Sequence, residues 1–352
     1  MLRKFIATGM AVSAINIAFA QDSTKALSVT GSADVYYKYD FGKTKTNNLT
    51  SFTNTHNSFA LGMANIKLQY QTGKTDMVAD LGFGNRAKEF SYNDEGITAA
   101  IKQLYISYRL SNWLKLTAGS WATHIGYESV DAYANRNYSM SYMFTNGPFF
   151  HTGIKAEATV KNNGFMLGIT NAPDFKYMPD NMLNKKWIIA QYSFAASDYF
   201  KLYLNYAGGT NMDTSKSHQV DMVLTSSIND KFNMAFNGTI ATIKNYITKD
   251  VYSDHKNWWG AAIYMNYNPT EHIGLALRNE YFSDKNGLKV YSAQPYGGNI
   301  FASTLSANIK VDNLILIPEF RIDKANHAIF MNSNDNAVKT DKYILLAAVY
   351  QF

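Results

Sequence analysis

The sequence predicts an all-β chain: a transmembrane, antiparallel, up-and-down β-barrel of about 16 strands (range roughly 14–18). Three observations predict it. Polar and apolar residues alternate with a period of two through most of the chain. Short and long connections between the alternating segments follow one another strictly. The last segment ends in an aromatic residue, with a second aromatic two positions earlier.

The N-terminus is an export signal in form. Arg3 and Lys4 precede a mostly apolar stretch, Phe5 to Phe19. That stretch is about 15 residues long, short of the roughly 20 a spanning helix needs. Ala18-Phe19-Ala20 is a small-x-small cleavage site, so 1–20 is expected to be a signal peptide and 21–352 a single barrel domain. No Cys stands at the junction, which argues against a lipid anchor. After Ala20 no apolar run reaches about 18 residues, so no spanning helix is expected. The chain has no Cys at all, so an exported fold must be held by a large core or a closed hydrogen-bonded sheet. Its basic residues are scattered, without the dense tract that nucleic-acid binding needs.

The strands follow in order. Ser32, Asp34, Tyr36, Lys38 and Asp40 interleave with Ala33, Val35, Tyr37 and Tyr39. Asn65, Lys67 and Gln69 interleave with Ile66, Leu68 and Tyr70, and the pattern recurs in Phe200–Tyr206 and Phe232–Asn237. A helix would scatter these polar residues around its surface, whereas a strand puts them on one face. About 16 such segments, each roughly 9–14 residues, are centred near Asp34, Lys67, Asp80, Tyr105, Thr117, Glu157, Gly168, Gln191, Tyr203, Asp221, Phe236, Ala262, Ala276, Ser306, Glu319 and Ala347.

Seven connections carry tight-turn residues: 72–74, 110–112, 162–164, 196–198, 229–231, 269–271 and 312–313. Those between them are longer and polar: about 41–57, 87–97, 121–153, 173–184, 208–217, 244–256, 284–298 and 324–340. An up-and-down barrel with both termini on the periplasmic side has this asymmetry. A soluble sandwich, with Greek-key crossovers, has no reason for it. In the final segment Ile344, Leu346, Ala348, Tyr350 and Phe352 share one face, as in the terminal strand of outer-membrane barrels.

In hydrocarbon every backbone N–H and C=O must be paired, so without an apolar helix only a closed sheet can span. The apolar positions then face lipid, and the alternate positions face the bore. The inward set includes Asp34, Lys38, Lys67, Asp76, Asp80, Arg109, Lys115, Lys155, Glu157, Lys201, Asp221, Arg278, Glu280, Glu319 and Arg321. Against lipid each Lys or Arg would cost roughly 2–4 kcal/mol at the midplane, but against water they are tolerable. Charges of both signs nearly balance, which predicts weak ion selectivity. Tyr36, Tyr105, Tyr203, Trp258 and Tyr264 share the inward register.

The exception to alternation is Trp121–Gly153, between the fifth and sixth strands. It is rich in Tyr, Phe, Met, Asn and Gly and poor in charge, which argues for a structured segment folded into or over the bore. Glu128, Asp131 and Arg136 are expected to line a constriction there, facing wall charges such as Arg109 and Lys155.

Within that segment, Gly126-Tyr127-Glu128, Asn135, Asn137-Tyr138-Ser139-Met140-Ser141, Phe144, Pro148 and His151-Thr152-Gly153 resemble the signature of the OmpL-like β-barrel porins. So do Leu277–Asp284 and Ile317–Asp323, with Asn279 a departure at a girdle position. The resemblance implies an outer-membrane porin and brings no substrate, cofactor or catalytic residue. General diffusion porins similarly narrow the pore with the connection after their fifth strand.

Other chemistry is thin. No two of the seven His stand at i, i+2 or i, i+4, so no metal site is expected. His151-Thr152 near Asn146, and His255 beside Asp254, are the nearest approach to a hydrolytic pair, and no enzyme is expected. The Gly82-Phe83-Gly84-Asn85 stretch has no helix signalled after it, as a phosphate cradle would require. Two function classes remain. One is a passive channel for small hydrophilic solutes, in the bilayer and open to homo-oligomers. The other is an occluded docking barrel whose loops, including the aromatic Tyr291–Phe301, bind a partner.

Overall fold

The structure is a computed structural model and describes residues 26–249 and 251–352. The export signal expected at 1–20 lies outside the described residues. Sixteen antiparallel strands close into one barrel, each paired with its sequence neighbours and the last with the first. They are β1 Ala26–Asp40, β2 Ser58–Thr72, β3 Thr75–Phe83, β4 Ile101–Arg109, β5 Leu114–Ala122, β6 Phe150–Val160, β7 Asn163–Asn171 and β8 Lys186–Ser197. The second half is β9 Phe200–Thr210, β10 Lys216–Ser227, β11 Phe232–Lys244, β12 Lys256–Tyr267, β13 Ile273–Asp284, β14 Gly298–Val311, β15 Leu314–Ala325 and β16 Thr340–Gln351. Each of the sixteen centres marked in the sequence falls in one of these strands.

Closure is made by β1 against β16, with Tyr36 opposite Ala347 and Asp40 opposite Tyr343. Phe352 adds two further backbone bonds to Gly31, so the terminal aromatic is tied into the seam. Closure leaves no strand edge unpaired, the condition for a sheet in hydrocarbon.

The alternation sorts side chains as expected. In β16, Asp341, Tyr343, Leu345, Ala347 and Val349 are buried, and Lys342, Ile344, Leu346 and Tyr350 are exposed. Asp34, Asp80, Glu157, Asp221, Arg278, Glu280, Glu319 and Arg321 all lie buried on the inner face. Tyr36, Tyr203, Trp258 and Tyr264 join them, and Tyr105 is partly buried. The outer face is Leu, Ile, Val and Phe, with Tyr108, Phe165, Tyr267 and Tyr350 toward one end.

Both described ends of the barrel and the seven tight turns lie at one rim, the turn end. The opposite rim, the loop end, carries the connections 41–57, 84–100, 123–149, 172–185, 211–215, 245–255, 285–297 and 326–339. The shortest, 211–215, is tighter than expected because β9 runs on through Gly208-Gly209 to Thr210. The turn after β6 sits at 161–162, where Lys161 takes φ 52°. One expectation is overturned. A short helix, α1 Asn85–Phe90, does follow Gly84, whose φ of 114° favours glycine. At under two turns it is too short for a periodic signal, and it buries Arg86, Ala87 and Phe90 rather than presenting a capped N-terminus.

Candidate functional site in the bore

The segment 123–149 leaves β5 at the loop end and runs down inside the barrel. At its lowest point Arg136 Nη1 donates to Asn268 Oδ1 (3.0 Å) in the turn between β12 and β13. Asn308 Nδ2, near the turn end of β14, donates to the Arg136 carbonyl (2.9 Å). The chain then climbs back through a second short helix, α2 Tyr142–Asn146, to rejoin the sheet at Phe150. Ser141 caps α2 by accepting from the Phe144 N–H. The loop therefore travels the length of the bore.

Such a path strands backbone polar groups, each of which needs a partner. Wall side chains supply them. Glu319 on β15 accepts the N–H of Tyr138 (2.8 Å) and of Ser139 (3.3 Å). Glu280 on β13 accepts those of Tyr142 and Met143, both at 2.8 Å. Asp221 on β10 accepts that of Gly126 (3.0 Å). Guanidinium groups take the carbonyls: Arg321 that of Met140 (2.7 Å), Arg278 that of Ser139 (2.7 Å), and Arg86 of α1 that of Val130 (3.2 Å). Hydrogen bonds to charged groups are worth about 1.5–3 kcal/mol each, roughly twice neutral ones.

Two phenols reinforce the clamp. Tyr138 Oη donates to Asp34 Oδ2 (2.5 Å) on β1, and Tyr142 Oη to Asp323 Oδ2 (2.7 Å) on β15. Around these bonds the loop packs apolar surface on the wall. Tyr142 and Met143 join Trp258, Tyr264, Phe282 and Ile300. Ala132 and Tyr138 join Tyr36, Ile317, Tyr343 and Leu345. Val130, Met140, Phe144 and Phe149 meet Phe52 and Phe90 from the neighbouring loops.

The predicted site residues divide into those on the loop and those on the wall. Glu128 accepts from Ser141 N–H and Oγ (2.8 and 2.7 Å) and pairs with Arg278. Asp131 pairs with Lys102 Nζ (2.5 Å), which also holds Asp80 (3.1 Å). The loop carboxylates therefore face Arg278 and Lys102, not Arg109 and Lys155 as expected. Arg109 ends β4 at the turn end and pairs with Asp76 (3.0 Å). Lys155 pairs with Glu157 (3.4 Å) and lies over the Trp121 ring, and Glu157 also meets Lys115 (3.1 Å). Neither Arg109 nor Lys155 is among the loop's hydrogen-bond partners.

Sequence reasoning missed Arg86, Lys102 and Asp174. Arg86 lies in a connection without periodicity. Lys102 is the extra residue at a register shift between β3 and β4, which upsets the inward count. Asp174, in the 172–185 loop, takes φ 63°. Its Oδ1 accepts the N–H of Phe149 (2.7 Å) and Phe150 (3.0 Å), and its Oδ2 the Tyr92 hydroxyl (2.9 Å). It thus ties three loops together at the loop end. Burial raises its pKa from the ordinary carboxylate value to about 6. Spacing also hid a pair: His124 and His151 lie with ring centroids 5.2 Å apart at the root of the loop. His151 sits beside Thr123 (3.4 Å). Among the described residues no group of three or more His, Asp and Glu is placed to hold a metal ion.

One part of the inner wall stays less buried. Toward the turn end of β2, β4, β5, β8 and β9, Lys67, Gln71, Arg109, Lys115, Gln191 and Lys201 are only part-buried, and Gln69 is exposed. This is a hydrophilic wall that water can reach.

Solved structures share the architecture. The outer membrane channel DcaP of Acinetobacter baumannii is 9% identical with a TM-score of 0.60, covering 93% of this chain and 97% of its own. OmpT of Vibrio cholerae, in its trimer form, is 10% identical with a TM-score of 0.60, covering 94% and 100%. OmpF of Salmonella typhi is 11% identical with a TM-score of 0.60, covering 93% and 98%. At these identities the likeness is one of fold. No curated protein matches the chain in sequence. The family described as "Putative beta-barrel porin-2, OmpL-like" matches residues 26–352. With every described strand inside that match, the chain belongs to the OmpL-like porin family and is a porin-like β-barrel of the outer membrane.

Proposed function

We propose that the protein passes small hydrophilic solutes by passive diffusion, along a route narrowed by the 123–149 segment. The carrying observation is the division of the wall. The loop is clamped to β13–β15 and β1 by Arg278, Glu280, Glu319, Arg321 and Asp34, while Lys67, Gln69, Gln191 and Lys201 stay accessible across the bore. Glu128, Asp131 and Arg136 act at the narrowing by holding the loop in place, with Lys155 and Glu157 bounding the passage on β6 and Arg109 the turn-end vestibule. Ion selectivity is weak, because most inward charges are paired. A homo-oligomer belongs to this reading, and the trimer form of OmpT of Vibrio cholerae supports it.

The depth of the loop favours a second reading, a closed barrel opened by a partner. Single-channel conductance in planar bilayers separates the two, comparing the mature protein with a variant lacking residues 128–145. Steady wild-type conductance that rises severalfold on deletion is expected for the narrowed porin. A silent wild type that conducts only after deletion makes the loop a plug. Silence in both, with an intact barrel by circular dichroism, removes the channel.

A further inference from the structure

The outer face of the barrel carries charge at one rim only. By strand parity the charged residues that point outward from the described strands are Lys186 on β8, Lys216 on β10, Lys244 on β11, Lys324 on β15 and Lys342 on β16. All five are lysines and all lie at the loop end. Outward positions at the turn end carry no charge, and several are large and apolar or aromatic, such as Tyr108, Phe200, Tyr267 and Tyr350. None of the five has a carboxylate within 4.0 Å among the described residues.

Three of them form a row. Lys216 and Lys244 are directly opposite across β10 and β11. Thr210, between β8 and β10, separates Lys216 from Lys186. Like charges placed directly opposite destabilise a sheet pair, so this register is retained at a cost unless an anion lies between the two ammonium groups. Lys216 is further held over the Tyr252 ring, 4.5 Å from its centroid. Directly below the row, the outward surface of β6–β10 sinks into an apolar groove of about 590 Å³. Ala156, Ala158 and Ala190 form its floor, with Phe165, Leu204 and Val220 around it. Val220 stands four residues along β10 from Lys216, about 13 Å at the usual strand rise. His218 lies between them and accepts or donates to Tyr206 Oη at 2.8 Å.

A row of ammonium groups above an apolar groove, on a surface that faces the bilayer, matches one kind of molecule: an amphiphile with an anionic head and acyl chains. We propose that Lys186, Lys216 and Lys244 bind the phosphorylated headgroup of an outer-leaflet glycolipid, whose acyl chain lies in the groove on β6–β10. Juxtamembrane lysines hold anionic headgroups by the same electrostatics on other membrane surfaces. Placement at the loop end alone puts the site in one leaflet, and the barrel needs no conformational change to use it.

The test uses the refolded mature barrel in neutral detergent micelles, with binding read by native mass spectrometry and by thermal unfolding. The probes are diphosphoryl lipid A, its dephosphorylated form and inorganic phosphate. Diphosphoryl lipid A is expected to bind and raise the unfolding temperature. Removing its phosphates, or making Lys216→Ala/Lys244→Ala, is expected to weaken binding about thirtyfold, a loss of the size set by two ammonium contacts. Lys216→Arg/Lys244→Arg is expected to keep binding, and the distant Lys324→Ala/Lys342→Ala to leave it within about twofold. Heat-modifiable gel mobility reports that each variant is folded, with Lys216→Gln/Lys244→Gln standing in if the alanine pair is not. Equal binding of both lipid A forms overturns the proposal. So does an unchanged alanine pair, an equal loss in Lys324→Ala/Lys342→Ala, or an inorganic phosphate effect that equals that of the lipid.

Discussion

The two sides of the bore wall use charge in opposite ways. On β13–β15 and β1, Arg278, Glu280, Glu319, Arg321 and Asp34 are almost fully buried, and they bind the main chain or phenols of the 123–149 loop. On β2–β5 and β9, toward the turn end, Lys67, Arg109, Lys115 and Lys201 keep contact with water. All belong to one inward set by parity, yet they do different work. The first group satisfies a buried, irregular backbone. The second meets whatever passes. An inward charge in a barrel is therefore a pore charge only where no loop has claimed it.

The largest expected effect sharpens this division by comparing one arginine from each side. Arg278 is 1% exposed and pairs with Glu128, while also donating to the Ser139 carbonyl. Arg278→Ala leaves the buried Glu128 carboxylate without its cation and the Ser139 carbonyl without its donor, a loss of about 3–5 kcal/mol. Arg109→Ala removes a pair whose guanidinium side chain is 40% exposed, and the expected cost is at most about 1 kcal/mol. Equilibrium urea unfolding in lipid vesicles, followed by tryptophan fluorescence, measures both. Equal losses would mean that the clamped side is no more than a solvated wall.

This comparison also shows what the sequence could carry. The strands were legible because each face of a barrel strand meets a different solvent, and that difference is written every second residue from Asp34 to Val349. The connections were legible because tight turns demand Gly, Asn and Asp at their tips, as at Gly73 and Asp312, both with positive φ. The clamp was legible only in part. Glu280, Glu319, Arg278 and Arg321 follow the strand period, so their inward aim could be read, but their partners could not. Those partners are backbone groups, and backbone N–H and C=O leave no trace in residue identity. Arg86 and Asp174 sit in loops with no period, and His124 meets His151 only because the loop returns to its own root. Partner choice is a property of the folded path, which is why Glu128 was expected opposite Arg109 or Lys155 and lies against Arg278.

A smaller effect tests how firmly the loop is fastened at its root. Asp174 bonds Phe149, Phe150 and Tyr92, and burial raises its pKa to about 6. Lys289 from the 285–297 loop bears on it, and so does Lys176 from its own loop, itself paired with Asp94 (2.6 Å). With the folded value above the ordinary one, the fastened state holds the proton more tightly than the released state. The stabilisation is fully present below the ordinary value of 3.8 and is lost as pH rises through about 6. Partial access of water at Tyr92 keeps the span to about 1–2 kcal/mol. Proteolytic nicking of the 123–149 loop is expected to slow as pH falls from 7 to 5. In Asp174→Asn, whose amide oxygen still accepts both N–H groups, that step is expected to vanish. A step that persists in the variant assigns the pH response to another group.

The smallest effect falls on the accessible side and concerns the solute itself. Lys67 and Lys201 have no carboxylate within 4.0 Å among the described residues, whereas Arg109, Lys115 and Lys155 are each neutralised by Asp76 or Glu157. These two ammonium groups are thus the charges a passing ion meets unscreened by a neighbour. At about 6 Å through water one unit charge is worth roughly 0.7 kcal/mol, or about threefold in a permeability ratio. Salt at 0.1 M lowers it further, since the screening length is then about 10 Å. Lys67→Glu and Lys201→Glu each change the local charge by two units, so each is expected to move the reversal potential in a salt gradient toward cations by about twice that energy before screening. Glu280→Gln, on the clamped side, removes a whole charge from the bore and is expected to leave the reversal potential in place, because Glu280 faces the N–H groups of Tyr142 and Met143 rather than the passage. If Glu280→Gln shifts selectivity as much as Lys201→Glu does, ions pass along the loop side and the division of the wall has been drawn in the wrong place.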